Sequence, residues 1–332
     1  KQWYQRRVHG DRMASLKFLE RDFPVIDSNF QQFCASHGIY TVKDFLLNDL
    51  YVLVAFAEQQ FASDRLKQGI NQVLSIIEGQ HQPWSNGLKL LEDAQWNKHA
   101  LSTGFEGIDL LLQGGFCKGQ LTELVGSTSS GKTQVCLQAA SYVAIKHGRT
   151  VFIDTGNSFS ANHISHLIVQ TLDPASKKVE PEFLQNVMSR VIYHPVFDIV
   201  TLMNVLHQLD TELKSQAQTR HNQLHLIIVD SVSSLITAVL GGSGPHGHAL
   251  MISVGYLLKK VAHEHNISVV VTNHMVSGEG SVLKPALGES WKCIPHVRIL
   301  LSRDRGTNIC HSSLIKHPSM ASGKAASFKI YC

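Results

Sequence analysis

The run Gly126-Ser127-Thr128-Ser129-Ser130-Gly131-Lys132-Thr133 has the Gly-x4-Gly-Lys-Thr spacing of a loop that cradles phosphates. Glycines let the backbone curl until successive N–H groups face one anion, and a helix starting near Lys132 adds the positive end of its dipole. Lys132 supplies a point charge to the β- and γ-phosphates, and the Thr133 hydroxyl is a magnesium ligand. Gly126, Ser127, Thr128, Ser129, Ser130, Gly131, Lys132, Thr133 and Gln134 together form the expected cofactor-binding stretch. Further along, Leu226-Ile227-Ile228-Val229-Asp230-Ser231 is an apolar run that ends in an acid. A carboxylate at the exposed end of a buried strand reaches magnesium directly or through water, so Thr133 and Asp230 are the expected metal pair. The plainer alternatives are a simple turn at the loop and a turn-forming aspartate at the strand end.

Such a loop works only if a strand delivers it and a helix receives it. After Leu101 the texture is one of short β-branched runs separated by helical segments, as in a doubly wound sheet. Expected strands are Leu121–Val125, Thr150–Asp154, Val191–Tyr193, His225–Asp230, Ser268–Thr272 and Val297–Leu301. The amphipathic stretches between them include Gln134–Lys146, Val200–Lys214 and Ala249–His265. The fold class is therefore α/β, a twisted, mostly parallel sheet flanked by helices.

Ahead of this core, Phe30, Phe33, Val42, Phe45, Leu46, Leu50, Leu53 and Phe56 recur at three- and four-residue steps, and Thr41 can cap a helix with its hydroxyl. Residues 13–79 read as a small all-α domain. Residues 80–100 read as a linker with one docking element around Leu88, Leu90 and Leu91, and residues 101–332 as the core. Lys1 to Arg12 is charged and patternless before Met13, and is expected to be a leader or artefact. Ile330-Tyr331-Cys332 reads as a strand cut off, so the chain is expected to be a fragment.

With 332 residues and 43% apolar content the chain can bury a full core and still carry an appendage. Thirty Lys and Arg against 26 Asp and Glu permit nucleic acid without demanding it. Cys34, Cys117, Cys136, Cys293, Cys310 and Cys332 lack the close spacing of a zinc site or redox pair, and read as idle thiols in a reducing compartment. The 19 histidines read as solvated polar residues rather than a metal cluster. No apolar run approaches the roughly 20 residues that cross a bilayer.

Leu101-Ser102-Thr103-Gly104, Gly107-Ile108-Asp109, Gly114-Gly115, Gly119 and the phosphate loop follow one another as at the entry of the RecA-type recombinase core, which this chain resembles. Further matches are Leu226 to Ser231, Val269 to His274, Pro285-Ala286-Leu287-Gly288 and Trp291, and the resemblance covers about residues 40 to 317. It looks closest to the D-type paralogues of the eukaryotic DNA-repair recombinase, plant ones included. The resemblance implies a RecA-like P-loop core that binds ATP and Mg2+ in the nucleus. It also implies a hetero-oligomeric complex with other recombinase paralogues, contact with single-stranded or branched DNA, and an accessory role to recombinase filaments in homologous recombination and double-strand-break repair.

Three departures refine that expectation. Strand-exchanging members carry an Asp-Thr-Glu-Gly-like run whose glutamate orients the attacking water, whereas this chain has Asp154-Thr155-Gly156-Asn157. Losing a positioned base costs about 10²–10⁴ in rate, so at most a weak, DNA-stimulated ATPase is expected. Thr272-Asn273-His274 stands where those members have Thr-Asn-Gln, and His274 either donates to a phosphate oxygen as a catalytic group or merely fills the position. No Phe-x-x-Ala tetrapeptide occurs, which argues against self-polymerisation. The family's two DNA loops correspond to about Leu240–His248, without Lys or Arg, and Met275–Leu287, with Lys284 alone. Two other readings stay open: a self-sufficient DNA-dependent ATPase that exchanges strands, and a nucleotide-dependent scaffold without DNA contact.

Overall fold

The computed structural model describes residues 15–21, 23–79, 86–96, 100–172, 179–215, 223–240, 245–277 and 283–330. The stretch read as a leader, much of the linker, and Tyr331-Cys332 lie outside these residues. The chain divides into two compact units, Lys1–Trp96 and Asn97–Cys332.

The first unit comprises α1 (Leu16–Leu19), α2 (Ser28–Ser36), α3 (Val42–Leu47), α4 (Leu50–Glu58), α5 (Ser63–Gly79) and α6 (Gly87–Trp96). Short polar side chains start α2, α3 and α4 by accepting orphan N–H groups of the first turn. Asp27 accepts from the Phe30 N–H and Asp49 from the Tyr51 N–H. Thr41 and Asp44 form a reciprocal capping box, each side chain taking the other's backbone N–H. Ile26, Phe30, Phe45, Ile70 and Val73 pack into the core of this unit. The apolar period does not sort every residue correctly: Phe56 is 42% exposed, on α4, where Tyr51 and Val52 are also exposed. Within the stretch read as a linker, α6 begins after Asn86, whose side-chain oxygen accepts from the Lys89 N–H, and both Leu88 and Leu91 are exposed.

The second unit is built on a nine-stranded sheet among the described residues. In chain order it contains β1 (Ala100–Leu101), α7 (Glu106–Leu111), β2 (Phe116–Cys117), β3 (Leu121–Gly126), α8 (Lys132–Lys146), β4 (Arg149–Asp154), α9 (Ala161–Leu172), α10 (Pro181–Met188) and β5 (Val191–Pro195). There follow α11 (Ile199–Ser215), β6 (Leu224–Asp230), α12 (Val232–Leu240), α13 (Pro245–His265), β7 (Ser268–Ser277), β8 (Leu283–Pro285), α14 (Gly288–Lys292), β9 (Val297–Arg303), β10 (Ile309–Lys316) and β11 (Ala325–Lys329). The sheet runs β11-β10-β9-β3-β7-β6-β4-β5, and its ninth strand, β8, pairs with β7 off this path. From β9 to β5 all neighbours are parallel, while β10 and β11 close one side as an antiparallel meander.

Helices cover both faces, so the central strands alternate between two cores instead of between core and water. Leu226 and Ile228 join α8 and α9 on one face, and Ile227 and Val229 join α11, α12 and α13 on the other. This is why the strands read as unbroken apolar runs. The meander reads differently: only Cys310, Ser312 and Leu314 of β10 are buried, and periodicity marks neither β10 nor β11 as a strand. α7 packs directly on β11, with Phe105 and Phe328 rings 4.9 Å apart and no room for a Cβ at Gly107, which would lie 2.2 Å from the Ser327 carbonyl oxygen.

The two stretches matched to DNA loops are not simply loops. Pro245 to His248 opens α13, with 241–244 outside the described residues. Met275 to Ser277 pairs antiparallel with Leu283 to Pro285 as a hairpin, with 278–282 likewise outside.

An ion cluster ties α11 to α13. The buried Asp210 carboxylate accepts from the ammonium groups of Lys214 at 2.7 Å and Lys260 at 2.9 Å, and meets His265 Nε2 at 2.7 Å. Asp210, Glu264 and His265 are grouped closely enough to hold a metal ion, but the two ammoniums already supply the positive charge there. Burial disfavours the Asp210 charge, yet hydrogen bonds from Lys214, His265 and Lys260 outweigh it and hold the carboxyl well below the ordinary range. Because the folded pKa lies below the unfolded value of about 3.9, this stabilisation is complete above roughly pH 5 and is lost as pH falls through the folded value. The urea midpoint should therefore drop between pH 5 and 2 more steeply for the parent chain than for Asp210→Asn, and equal slopes would show that the cluster contributes nothing.

Candidate functional site

The phosphate-type loop leaves β3 at Gly126 and enters α8 at Lys132. Gly126 has no space for a side chain, since a Cβ would lie 2.3 Å from Ser130 Oγ and 2.6 Å from the Leu301 carbonyl oxygen. The loop turns through left-handed backbone at Ser129 (φ 62°) and at Gly131 (φ 98°), the residue that precedes α8. Gly131 offers no side-chain cap, so the first N–H groups of α8 stay available for a ligand. Ser127, Thr128 and Ser129 form the exposed rim, Gln134 is half-buried in the first turn of α8, and Ser130 is buried with its hydroxyl unpartnered among the described residues.

Lys132 is not an exposed loop charge, as the sequence would suggest, but only 6% exposed. Its ammonium donates to the carbonyls of Gly126 and Ser127, both at 2.8 Å. Desolvation lowers its pKa, against the opposing influence of the Asp230 carboxylate. A partly desolvated cation held only by carbonyl dipoles is well suited to an arriving anion.

Asp230 ends β6 beside that lysine. Its carboxylate accepts from the Thr133 hydroxyl at 2.7 Å and from the Thr272 hydroxyl at 2.5 Å. A hydroxyl and a carboxylate oxygen in contact at the mouth of a phosphate loop are the hard oxygen donors magnesium takes, so the residues present fit a Mg2+-nucleotide. The Asp230-Ser231 peptide bond is cis.

Around this pair lies a belt of hydroxyls that the sequence did not single out. Ser158 donates to Asp154 at 3.2 Å and to Asp230 at 3.4 Å. Thr155 accepts from the Ser231 N–H at 2.7 Å and shares a hydrogen bond with Ser234 Oγ at 2.6 Å. Asp154, level with Asp230 on the adjacent strand, accepts from the N–H groups of Gly156, Ser158 and Phe159 and so shapes the loop after β4. The signal for these residues is in the sequence: Asp154-Thr155, Asp230-Ser231 and Thr272 each set a hydroxyl residue at the carboxyl end of an apolar run.

His274 reaches the same place from β7. Its Nε2 lies 3.0 Å from Ser231 Oγ, and its backbone N–H donates to Ser233 Oγ at 3.2 Å. Lys132, Thr133, Asp230 and His274 thus come from one helix and two strands to a single strand-end site.

A model of the Rad51 family matches residues 97–331. The chain is 32% identical over 308 residues to the DNA repair protein RAD51 homolog 4 of Bos taurus, covering 90% of each. It is 35% identical over 246 residues to the protein of that name in Mus musculus, covering 72% of this chain and 73% of that one. The DNA repair and recombination protein RadB of Methanobrevibacter smithii is 28% identical over 247 residues, 73% of this chain and 97% of its own.

Desolvation, then the nearby Lys132 charge, lower the His274 pKa, while Asp230 pulls the other way. NMR titration of the ring should accordingly give a value below the ordinary one of about 6.5, shifted upward in Lys132→Met and further downward in Asp230→Asn. Unmoved titration in both variants would mean that His274 does not share the site.

Proposed function

Since the chain belongs to the Rad51 family, we propose that it is an ATP- and Mg2+-binding recombinase paralogue of the nucleus. In this reading it assists recombinase filaments in homologous recombination and double-strand-break repair, within a hetero-oligomer of other paralogues that engages single-stranded or branched DNA. The observation that carries the nucleotide reading is the convergence of the buried Lys132 ammonium with the Thr133–Asp230 pair at the uncapped start of α8. Similarity across 90% of a protein named for DNA repair supports the wider role.

Within this reading, Lys132 exchanges its carbonyl partners for phosphate oxygens, and the first N–H groups of α8 add their dipole to the same anion. Thr133 and Asp230 hold the metal, with Thr272 fixing the carboxylate from behind. Bound magnesium supplies charge neutralisation at the phosphates. His274, whose charged form is disfavoured by burial and by Lys132, shares a hydrogen bond with Ser231 through Nε2 and serves as a donor to a phosphate oxygen. The position that would carry a water-orienting carboxylate is Gly156, so binding is provided for and attack is not. Turnover by the chain alone should lie well below the roughly 1 s⁻¹ at the lower end of common enzyme rates.

Two measurements test this. Lys132→Met should weaken Mg-ATP binding about 100-fold in calorimetry, as expected from losing about 3 kcal/mol of charge-assisted hydrogen bonding, and unchanged affinity would refute the loop's role. At Gly156 a Cβ meets nothing within 4 Å, so the first atom of a Gly156→Glu side chain enters open space. That variant should raise single-turnover hydrolysis by about 10²-fold, the lower end for a positioned base, whereas brisk hydrolysis by the parent chain alone would point to another base.

A further inference from the structure

At the amino ends of the central strands, opposite the nucleotide site, β6 begins with a bulge. Arg149 of β4 stands level with Leu224 and Thr150 with Leu226, which leaves His225 as the extra residue between them. The buried His225 ring lies against the end of α8. A Cβ on Gly148 would come within 3.2 Å of it, and the His147 ring meets it edge-on at 6.0 Å. Lys118 arrives from another segment. Gly119 N–H donates to the Ile267 carbonyl at 3.0 Å and Val269 N–H to the Gln120 carbonyl at 3.1 Å, which sets Lys118 at the amino ends of β3 and β7. Lys118 is half-buried and Lys146, the last residue of α8, is exposed, so the cluster opens to solvent.

Every charge that acts on the two rings is positive. Desolvation, then Lys118 and Lys146, lower the His147 pKa. Desolvation, then Lys118 and His147, push His225 down to about 4, although a hydrogen bond to the His147 backbone opposes them. Lys118, Lys146, His147 and His225 have no ion-pair partner among the described residues, whereas both ammoniums at Asp210 face that carboxylate. The carbonyl end of α8 offsets only about half a unit charge, less than either ammonium carries. Like charges drawn together out of water oppose one another, and an anion between them relieves the cost. Beneath the cluster, Thr150, Leu226 and Ser268 form one row across β4, β6 and β7, so the two hydroxyl residues share a face of the sheet. Both are fully buried, and neither hydroxyl has a partner among the described residues.

We propose that Lys118, Lys146, His147 and His225 form a phosphate-binding site at the end of α8 remote from the phosphate loop. With 15 residues in α8, the two sites stand about 22 Å apart. Two ammoniums and imidazole N–H donors suit a phosphate group, carried either by a free phosphate ester or by the backbone of duplex DNA. The stretches matched to the family's DNA loops contain Lys284 as their one Lys or Arg, so most neutralisation of a DNA backbone has to come from elsewhere in the chain. The site does not depend on the nucleotide reading above.

The two rings report on it through NMR titration of the full chain. Saturating inorganic phosphate should raise the His147 pKa by about 0.5 beyond the rise given by sodium chloride at equal ionic strength, because a bound anion favours the imidazolium whereas salt only screens Lys118. Lys118→Ala should remove that difference, and Lys132→Met, at the other end of α8, should leave it. If Lys118→Ala does not fold, Lys118→Gln, which keeps most of the stem, is read in the same way. A DNA duplex of about 20 base pairs giving the same shift at micromolar concentration assigns the ligand to the DNA backbone, and a shift with inorganic phosphate alone assigns it to a free phosphate ester. Equal rises in phosphate and chloride overturn the proposal, as does a difference that survives the loss of Lys118 or vanishes with Lys132.

Discussion

A parallel sheet covered by helices on both faces allows no solvated side chain along its central strands. Polar groups in such a sheet can emerge where the strands end, and a charge can remain inside when it is paired. Both solutions occur in this protein. Asp154 and Asp230 end β4 and β6, and Thr272 and His274 join them where β7 stops pairing with β3 and passes into its hairpin, the level at which the loop and helix after β3 also begin. Glu123 takes the other course, and its charge is tolerated in the interior because three donors surround it.

The strand-end solution makes the site a product of the sheet rather than an addition to it. Asp154 and Asp230 stand level because β4 and β6 are parallel neighbours in register. One carboxylate then shapes the loop that follows its strand, while the other bonds Thr133 across the sheet. Neighbouring acids would repel if both faced one solvent pocket. Here the bonds to N–H and hydroxyl donors give each its own surroundings, with Ser158 bridging the two.

Much of this was legible from residue types alone. Five of the six expected strands announce themselves as apolar runs because both faces are buried, β5 at the edge of the sheet does so by its β-branched residues, and the loop before Lys132 announces itself by its glycines. Residues whose meaning depends on distant partners were not legible. Glu123 interrupts an apolar run without explanation until Arg298 arrives 175 positions later. Thr272 is one threonine among many until Asp230 lies beside it. Lys132 looks exposed in a polar loop, yet the loop folds its own carbonyls around the ammonium and removes it from water. β10 escapes notice because its alternating inward positions include Ser312, so the period of burial is not a period of apolar residues, and β11 buries only Phe328. The start of α13 at Pro245 follows from proline's tolerance in a first helical turn, which a glycine-rich neighbourhood conceals.

The seating of α7 on β11 has a consequence for how the second unit comes into being. Residues near position 107 have their partners near position 327, so an early helix is completed by a late strand. As the polypeptide emerges from the ribosome, β3 to β7 can already pair while Phe105 still waits for Phe328. Until that strand is synthesised, the nascent chain exposes an apolar helix face and the open flank of β10, both of them surfaces that chaperones engage and that promote misassembly. The last of these contacts to form are therefore set by the order of translation, and they join the segment just ahead of the nucleotide loop to a strand made about 200 residues later.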